Sequence, residues 1–143
     1  MIEIRRSAIV PFTPAQMFDL VNDVEAYPKR FGWCDAATVI EREDDKVLLA
    51  RLDLKFAGMK QNFTTRNTME RPERLTMKFV EGPLRSLDGV FSFQPLGDLG
   101  CKISLELDFD YAGLGGSVLK LGFQQLANRM VDDFCEEARR QYG

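Results

Sequence analysis

The sequence predicts an α+β fold: a curved, seven-stranded antiparallel sheet wrapped around a long C-terminal helix, with two short helices after the first strand. Three observations carry this. The last 29 residues, Gly115 to Gly143, hold an apolar stripe at helical spacing. Seven separate runs alternate apolar and polar residues, the signature of strands with one dry and one wet face. Between the first run and the other six lies Thr13-Pro14-Ala15-Gln16, a compact helix start.

The elements follow in order. Ile2, Ile4, Ala8 and Val10 alternate with Glu3, Arg5 and Ser7 in a first strand that Pro11 ends. Thr13 caps a helix, Pro14 takes its first position and Gln16 completes a capping box; Met17, Phe18, Leu20 and Val21 form its buried side up to Asp23. A second short helix is expected over Val24 to Tyr27, stopped by Pro28. The segment YPKRFGWCD then places Tyr27, Phe31 and Trp33 on a loop, either as a lid over an apolar cavity or as a plug in a core edge.

Six strand-like runs follow. Ala37 to Glu43 turns at Asp44-Asp45-Lys46 into Val47 to Phe56, where Leu48, Ala50, Leu52, Leu54 and Phe56 share one face. Ala57-Gly58 turns the chain into Met59 to Met69, a polar run anchored by Phe63. Leu75, Met77 and Phe79 alternate in the next run, which Gly82-Pro83 stops. The stretch EGPLRSLDG, Glu81 to Gly89, reads as a strand connection; it lacks the glycine spacing and following helix of a phosphate-binding loop. Phe91 and Phe93 mark the sixth strand, Pro95 to Gly100 a hairpin, and Ile103, Leu105, Leu107, Phe109 and Tyr111 the seventh. In the final helix Leu119, Phe123, Leu126, Ala127, Met130, Phe134 and Ala138 make the stripe. Gly115 and Gly116 punctuate its start, Ser117 is the expected N-cap, and Arg139 and Arg140 suit its C-terminal end. At about 1.5 Å per residue the helix spans roughly 36–40 Å and needs a large apolar surface.

Composition narrows the chemistry. A chain of 143 residues with 45% hydrophobic residues can bury a sizeable core, so disorder is excluded. The N-terminus lacks a signal-peptide pattern, and Cys34, Cys101 and Cys135 are odd in number and widely spaced; both point to free thiols and a cytoplasmic location. With 19 Lys and Arg against 22 Asp and Glu, the net charge of −3 argues against generic nucleic-acid binding, unless Arg129, Arg139 and Arg140, or Arg5 and Arg6, form a local basic patch. There is no histidine, which removes Ser-His-Asp, Cys-His and histidine-metal chemistry together.

The remaining candidates are weighed against plain structural roles. Cys34 has no histidine base and reads as a small buried hydrophobe. Asp108 with Asp110, and Asp132 with Asp133, could hold a metal or move protons, yet on amphipathic elements they read as solvated faces. Eleven phenylalanines and six methionines instead favour an apolar interior, either a filled core or a pocket between sheet and helix, which periodicity cannot separate. The candidate cavity residues are Phe31, Trp33, Phe63, Phe79, Phe91, Phe93, Leu105, Phe109, Phe123, Met130 and Phe134, with no catalytic or metal-ligating residue among them.

Three stretches in the right order resemble one family. They are YPKRFGWCD (Tyr27, Pro28, Phe31, Trp33, Cys34), EGPLRSLDGVFSF (Gly82, Pro83, Leu87, Gly89, Phe93) and MVDDFCEEARRQYG (Phe134, Tyr142, Gly143). The chain is similar over essentially its whole length to the coenzyme Q-binding and RatA-type ribosome-association toxin group of the START-like, polyketide-cyclase-like (SRPBCC) superfamily. Leu84 stands where that group often has Phe and Phe91 where it often has Trp; both keep the region apolar.

The resemblance implies a helix-grip fold and one START-like lipid-binding domain over residues 1–143. It implies non-enzymatic binding of ubiquinone or a similar isoprenoid between sheet and helix, in support of respiration, with no required cofactor. The alternative it implies is a toxin that binds the large ribosomal subunit and blocks subunit association. Peripheral membrane contact is a further implied partner, and a cyclase- or aromatase-like enzyme ranks third. Gln61, Arg66 and Asn67 are the candidates to meet a polar head group.

Overall fold

The computed structural model describes residues 1–111 and 116–143. Its elements are β1 (Ile2–Val10), α1 (Pro14–Asn22), a 3-10 turn (Val24–Ala26), α2 (Tyr27–Arg30), β2 (Cys34–Arg42), β3 (Val47–Phe56), β4 (Met59–Glu70), β5 (Arg74–Glu81), β6 (Leu84–Pro95), β7 (Cys101–Tyr111) and α3 (Gly116–Tyr142). The seven strands form one sheet in the order β1-β7-β6-β5-β4-β3-β2, every pair antiparallel. This is the helix-grip fold: the sheet curls around α3, which packs on β1, β7 and β3, while α1 closes the β5–β7 region.

Local chemistry explains most element boundaries. The Gln16 backbone N–H donates to Thr13 Oγ1 at 3.1 Å and the Thr13 N–H donates to Gln16 Oε1 at 2.9 Å, so the expected capping box starts α1. Pro28 does not stop a helix. It lies in the first turn of α2, where a missing N–H costs nothing, so Val24–Ala26 is a separate 3-10 turn. β2 begins at Cys34 rather than Ala37, because a register shift between Cys34 and Ala36 interrupts the alternation.

Most of EGPLRSLDG is strand. Only Gly82 and Pro83 lie between β5 and β6; a shift between Leu84 and Ser86 conceals the period-2 pattern that resumes at Leu87. The backbone at Gly82 has φ +147°, and a Cβ there would meet the Asn62 carbonyl oxygen at 2.9 Å, so this turn requires glycine.

α3 is 27 residues long and already includes Ser117, which is therefore not its N-cap; the expected punctuation at Gly115 lies outside the described residues. Leu119, Phe123, Leu126, Ala127, Phe134 and Ala138 are buried as the stripe predicts, and Val131 and Cys135 join them. Met130 is only half-buried. Glu137 carries a charge off the apolar stripe and is still only 3% exposed; its carboxylate accepts from Arg140 Nη1 at 2.7 Å and Gln141 Nε2 at 3.1 Å. α3 packs tightly on the β3–β4 turn at Gly122, where a Cβ would lie 2.9 Å from Ala57 Cβ and 3.1 Å from a Phe56 ring atom.

Candidate ligand cavity

Between α3 and the concave face of the sheet lies a cavity of ≈ 90 Å³. β3 contributes Ala50, Leu52 and Leu54; β4 Phe63, Thr65 and Asn67; β5 Leu75 and Met77; β6 Leu87 and Phe91; β7 Leu105 and Leu107. Phe123, Met130 and Phe134 of α3 form the facing wall, and Val24 and Tyr27 close one end. The strand residues are those that alternation turns inward. Gly89 faces the same side: a Cβ there would meet Met77 Cε at 2.8 Å and Leu107 Cδ1 at 2.9 Å, so its bare backbone lets both close over the cavity.

Six of the eleven residues expected at the cavity line it: Phe63, Phe91, Leu105, Phe123, Met130 and Phe134. The other five are placed elsewhere. Phe31 and Trp33 stack on each other at 4.8 Å and pack edge-on against Phe134 at 5.1 and 6.3 Å. They are buried at 6% and 5% exposure, so the aromatic segment is a plug and not a lid. Phe93 sits under Phe18 of α1, and Phe109 lies behind Phe123 at 4.8 Å; both inward positions are taken up by packing. Phe79 is half-buried on β5, beside the close turn at Gly82.

Of the polar wall members, Thr65 was not predicted, and Asn67 only as a head-group candidate. β4 reads as a polar run, yet its inward row is Phe63, Thr65, Asn67 and Met69. Of the three head-group candidates, Asn67 points in and is 3% exposed. Arg66 points out and pairs with Glu43 at 2.8 Å, and Gln61 is half-buried off the cavity wall. The Tyr27 hydroxyl, also inside, donates to the Val21 carbonyl, and burial pushes its pKa well above the ordinary phenol value.

A second space lies just outside. A groove of ≈ 350 Å³ runs between the β3–β4 turn and the first half of α3, with Phe56, Ala57, Val118, Leu121, Gly122 and Leu126 along it and Lys55 and Arg129 at its sides. Groove and cavity are separated by one aromatic layer: Phe56 faces the groove, Phe63 and Phe123 face the cavity, and the three ring centroids are 5.0 to 6.2 Å apart.

The other candidate groups are spent on structure. Burial raises the pKa of all three thiols, that of Cys34 to about 11, so none is a thiolate near neutral pH. Asp133 accepts from Trp33 Nε1 at 2.9 Å and from Arg129 Nε at 3.2 Å, tying the plug to α3. Asp132 pairs with Arg6 at 3.1 Å and Asp108 with Arg5 at 2.9 Å. Arg140 pairs with Glu136 and Glu137. The cations expected to make a basic patch are therefore, Arg139 apart, each set against a carboxylate. No metal-ligating cluster occurs among the described residues, and no helix there is long and apolar enough to cross a membrane.

The helix-grip sheet closing an apolar cavity defines a START-like domain. Comparison with known proteins agrees: residues 10–135 match the family described as "Polyketide cyclase / dehydrase and lipid transport". The fold is that of the Zhui aromatase/cyclase from a Streptomyces species, with a TM-score of 0.86 at 16% identity over 99% of this chain and 96% of that one. The ribosome association toxin RatA of Pseudomonas aeruginosa is 43% identical over 141 residues, 98% of this chain and 97% of the relative. The mitochondrial coenzyme Q-binding protein coq10 of Schizosaccharomyces pombe is more distant, 23% identical over 94% of this chain and 85% of the relative. The chain belongs to the RatA/PasT-type toxin family, related to the coenzyme Q-binding proteins within the START-like superfamily.

Proposed function

We propose that this protein acts without catalysis, by binding the large ribosomal subunit and blocking its association with the small one. The observation that carries this is the 43% identity to a ribosome association toxin along 98% of the chain. The cavity volume supports giving it precedence over quinone carriage. At ≈ 90 Å³ the space falls well short of the roughly 300–1,000 Å³ of typical ligand pockets. The cavity wall also offers nothing for acid–base chemistry: Tyr27 is its one titratable side chain among the described residues, and its hydroxyl is already committed.

Because most candidate cations are paired, docking rests on shape and mixed polar contacts more than on phosphate neutralisation. Its salt dependence is correspondingly shallow, well below that of a protein making 6–10 phosphate contacts, which loses about 10³–10⁵ in affinity between 50 and 200 mM salt. Sucrose-gradient sedimentation tests both points. Added protein should co-migrate with the large subunit and reduce joined ribosomes at both salt concentrations. Unchanged subunit joining with no co-migration would reject the proposal.

A second reading, binding of ubiquinone or another isoprenoid, is favoured by the nearly all-apolar cavity wall with two polar groups at one place. It requires the cavity to widen, for which Met77 and Met130 are suited as unbranched, adaptable side chains. Organic-solvent extraction of the purified protein followed by mass spectrometry tests it; no quinone in the extract and no uptake of added quinone would remove it.

A further inference from the structure

We propose that Asn67 is the specificity-determining residue of the inner cavity, presenting a free amide N–H₂ that selects an apolar ligand carrying a hydrogen-bond-accepting carbonyl oxygen. The inference deepens the ligand-binding reading and rests on it.

The inward rows of β3, β5, β6 and β7 that border the cavity are apolar throughout. The row on β4 is not: Thr65 and Asn67 sit two residues apart in the middle of it, opposite Ala50 and Leu48 on β3 and Phe79 and Met77 on β5. The Thr65 hydroxyl donates to Asn67 Oδ1 at 2.7 Å, which satisfies the oxygen end of the amide. No hydrogen bond from its nitrogen end occurs among the described residues, and that end is not among the fully enclosed unpartnered atoms; with Asn67 only 3% exposed and lining the cavity, it opens on the cavity. A buried amide left half-satisfied costs stability, whereas an apolar side chain of similar shape would not. Such a residue fits a site whose missing partner arrives with a ligand, because an amide donor rejects analogues lacking the matching acceptor.

Two pressures therefore define the ligand. Its body is apolar, to match the wall, and one carbonyl reaches β4. The body begins no larger than a single small ring. An engineered cavity of about 150 Å³ binds benzene, and this one is smaller, so Met77 and Met130 must move aside even for a ring.

The test compares cyclohexanone with its hydrocarbon isostere methylenecyclohexane on wild type and on Asn67→Leu, by NMR titration, with thermal unfolding of both proteins alongside. The expected result is that wild type favours the ketone over the hydrocarbon by about tenfold more than N67L does, and that unliganded N67L melts at a higher temperature. The ratio of ratios cancels the differing water solubility of the probes. An equal ketone preference in both proteins overturns the role of Asn67 while leaving ligand binding intact. Binding of neither probe by wild type overturns both. If N67L does not fold, Thr65→Val carries the comparison: it frees the amide to rotate and should lower the ketone preference about two- to threefold, and an unchanged preference overturns the proposal.

Discussion

The two halves of α3 share one apolar periodicity and do different work. In the C-terminal half, Phe134 lies within 5.1 to 6.3 Å of the ring centroids of Tyr27, Phe31, Trp33 and Phe91. Val131 and Ala138 are fully enclosed, and polar ties reach outward from Asp132 to β1, from Asp133 to Trp33 and from the Tyr142 hydroxyl to the Gln16 carbonyl. In the N-terminal half, Val118 and Leu121 are 66% and 54% exposed. There Phe123 stands in a thin aromatic wall with a cavity on one side and a groove on the other. The difference comes from what each half faces. The C-terminal half meets α1, α2 and the aromatic plug as well as the sheet; the N-terminal half meets the sheet and one tight turn. One end of the helix anchors the fold, and the other leaves room for change.

The largest effect expected from that contrast is at Phe134. Replacing it with alanine empties the centre of a four-ring cluster and should cost about 3–5 kcal/mol in urea unfolding. A loss below about 1 kcal/mol would mean that the C-terminal half is no tighter than the other.

Next comes the tie between plug and helix. Trp33→Phe keeps most of the ring stack but removes the donor to Asp133, a hydrogen bond to a charged acceptor of the kind worth about 1.5–3 kcal/mol. Asp133→Asn should cost less than this, since its side-chain oxygen can still accept from the indole. Equal losses in the two variants would show that the bond is worth its full value only when its acceptor is charged.

Met130 separates the halves most directly. Alanine at a packed methionine costs about 2–5 kcal/mol. Met130 is half-buried and borders empty space, so Met130→Ala should fall below about 2 kcal/mol in the same unfolding assay. A cost matching that of Phe134→Ala would place Met130 in a filled core and remove the distinction between the halves.

What could be read from the sequence follows the same division. Alternation and helical spacing report which side of an element is dry, and so they recovered seven strands, the capped first helix and the stripe on α3. They do not report distance across the interior. Phe109 and Phe123 are both inward-facing, yet one is packed behind the other and only Phe123 touches the cavity. Phe31 and Trp33 carry the composition of a lid, and what makes them a plug is a tertiary partner 100 residues away, Asp133. Asn67 was visible as a polar residue on a polar strand. Its inward direction depends on β4 register, which the flanking pattern Thr64-Thr65-Arg66-Asn67-Thr68 does not fix. Glu137 shows the converse: a charged residue off the apolar stripe of α3 is buried because Arg140 and Gln141, three and four residues on, cover it.

The smallest expected effect is at Leu121, and it sharpens the comparison through function. The side chain is 54% exposed on the rim of the groove, so Leu121→Ser should change unfolding stability by no more than about 0.5 kcal/mol. An exposed apolar residue beside Val118 that contributes nothing to the fold is free to serve a partner. If this end of α3 contacts the ribosome, L121S should weaken co-sedimentation with the large subunit while its unfolding curve overlays that of wild type. If both the curve and the co-sedimentation are unchanged, the contact lies elsewhere on the surface. If instead the curve itself shifts by 2 kcal/mol or more, the N-terminal half is packed as firmly as the C-terminal half and the contrast fails.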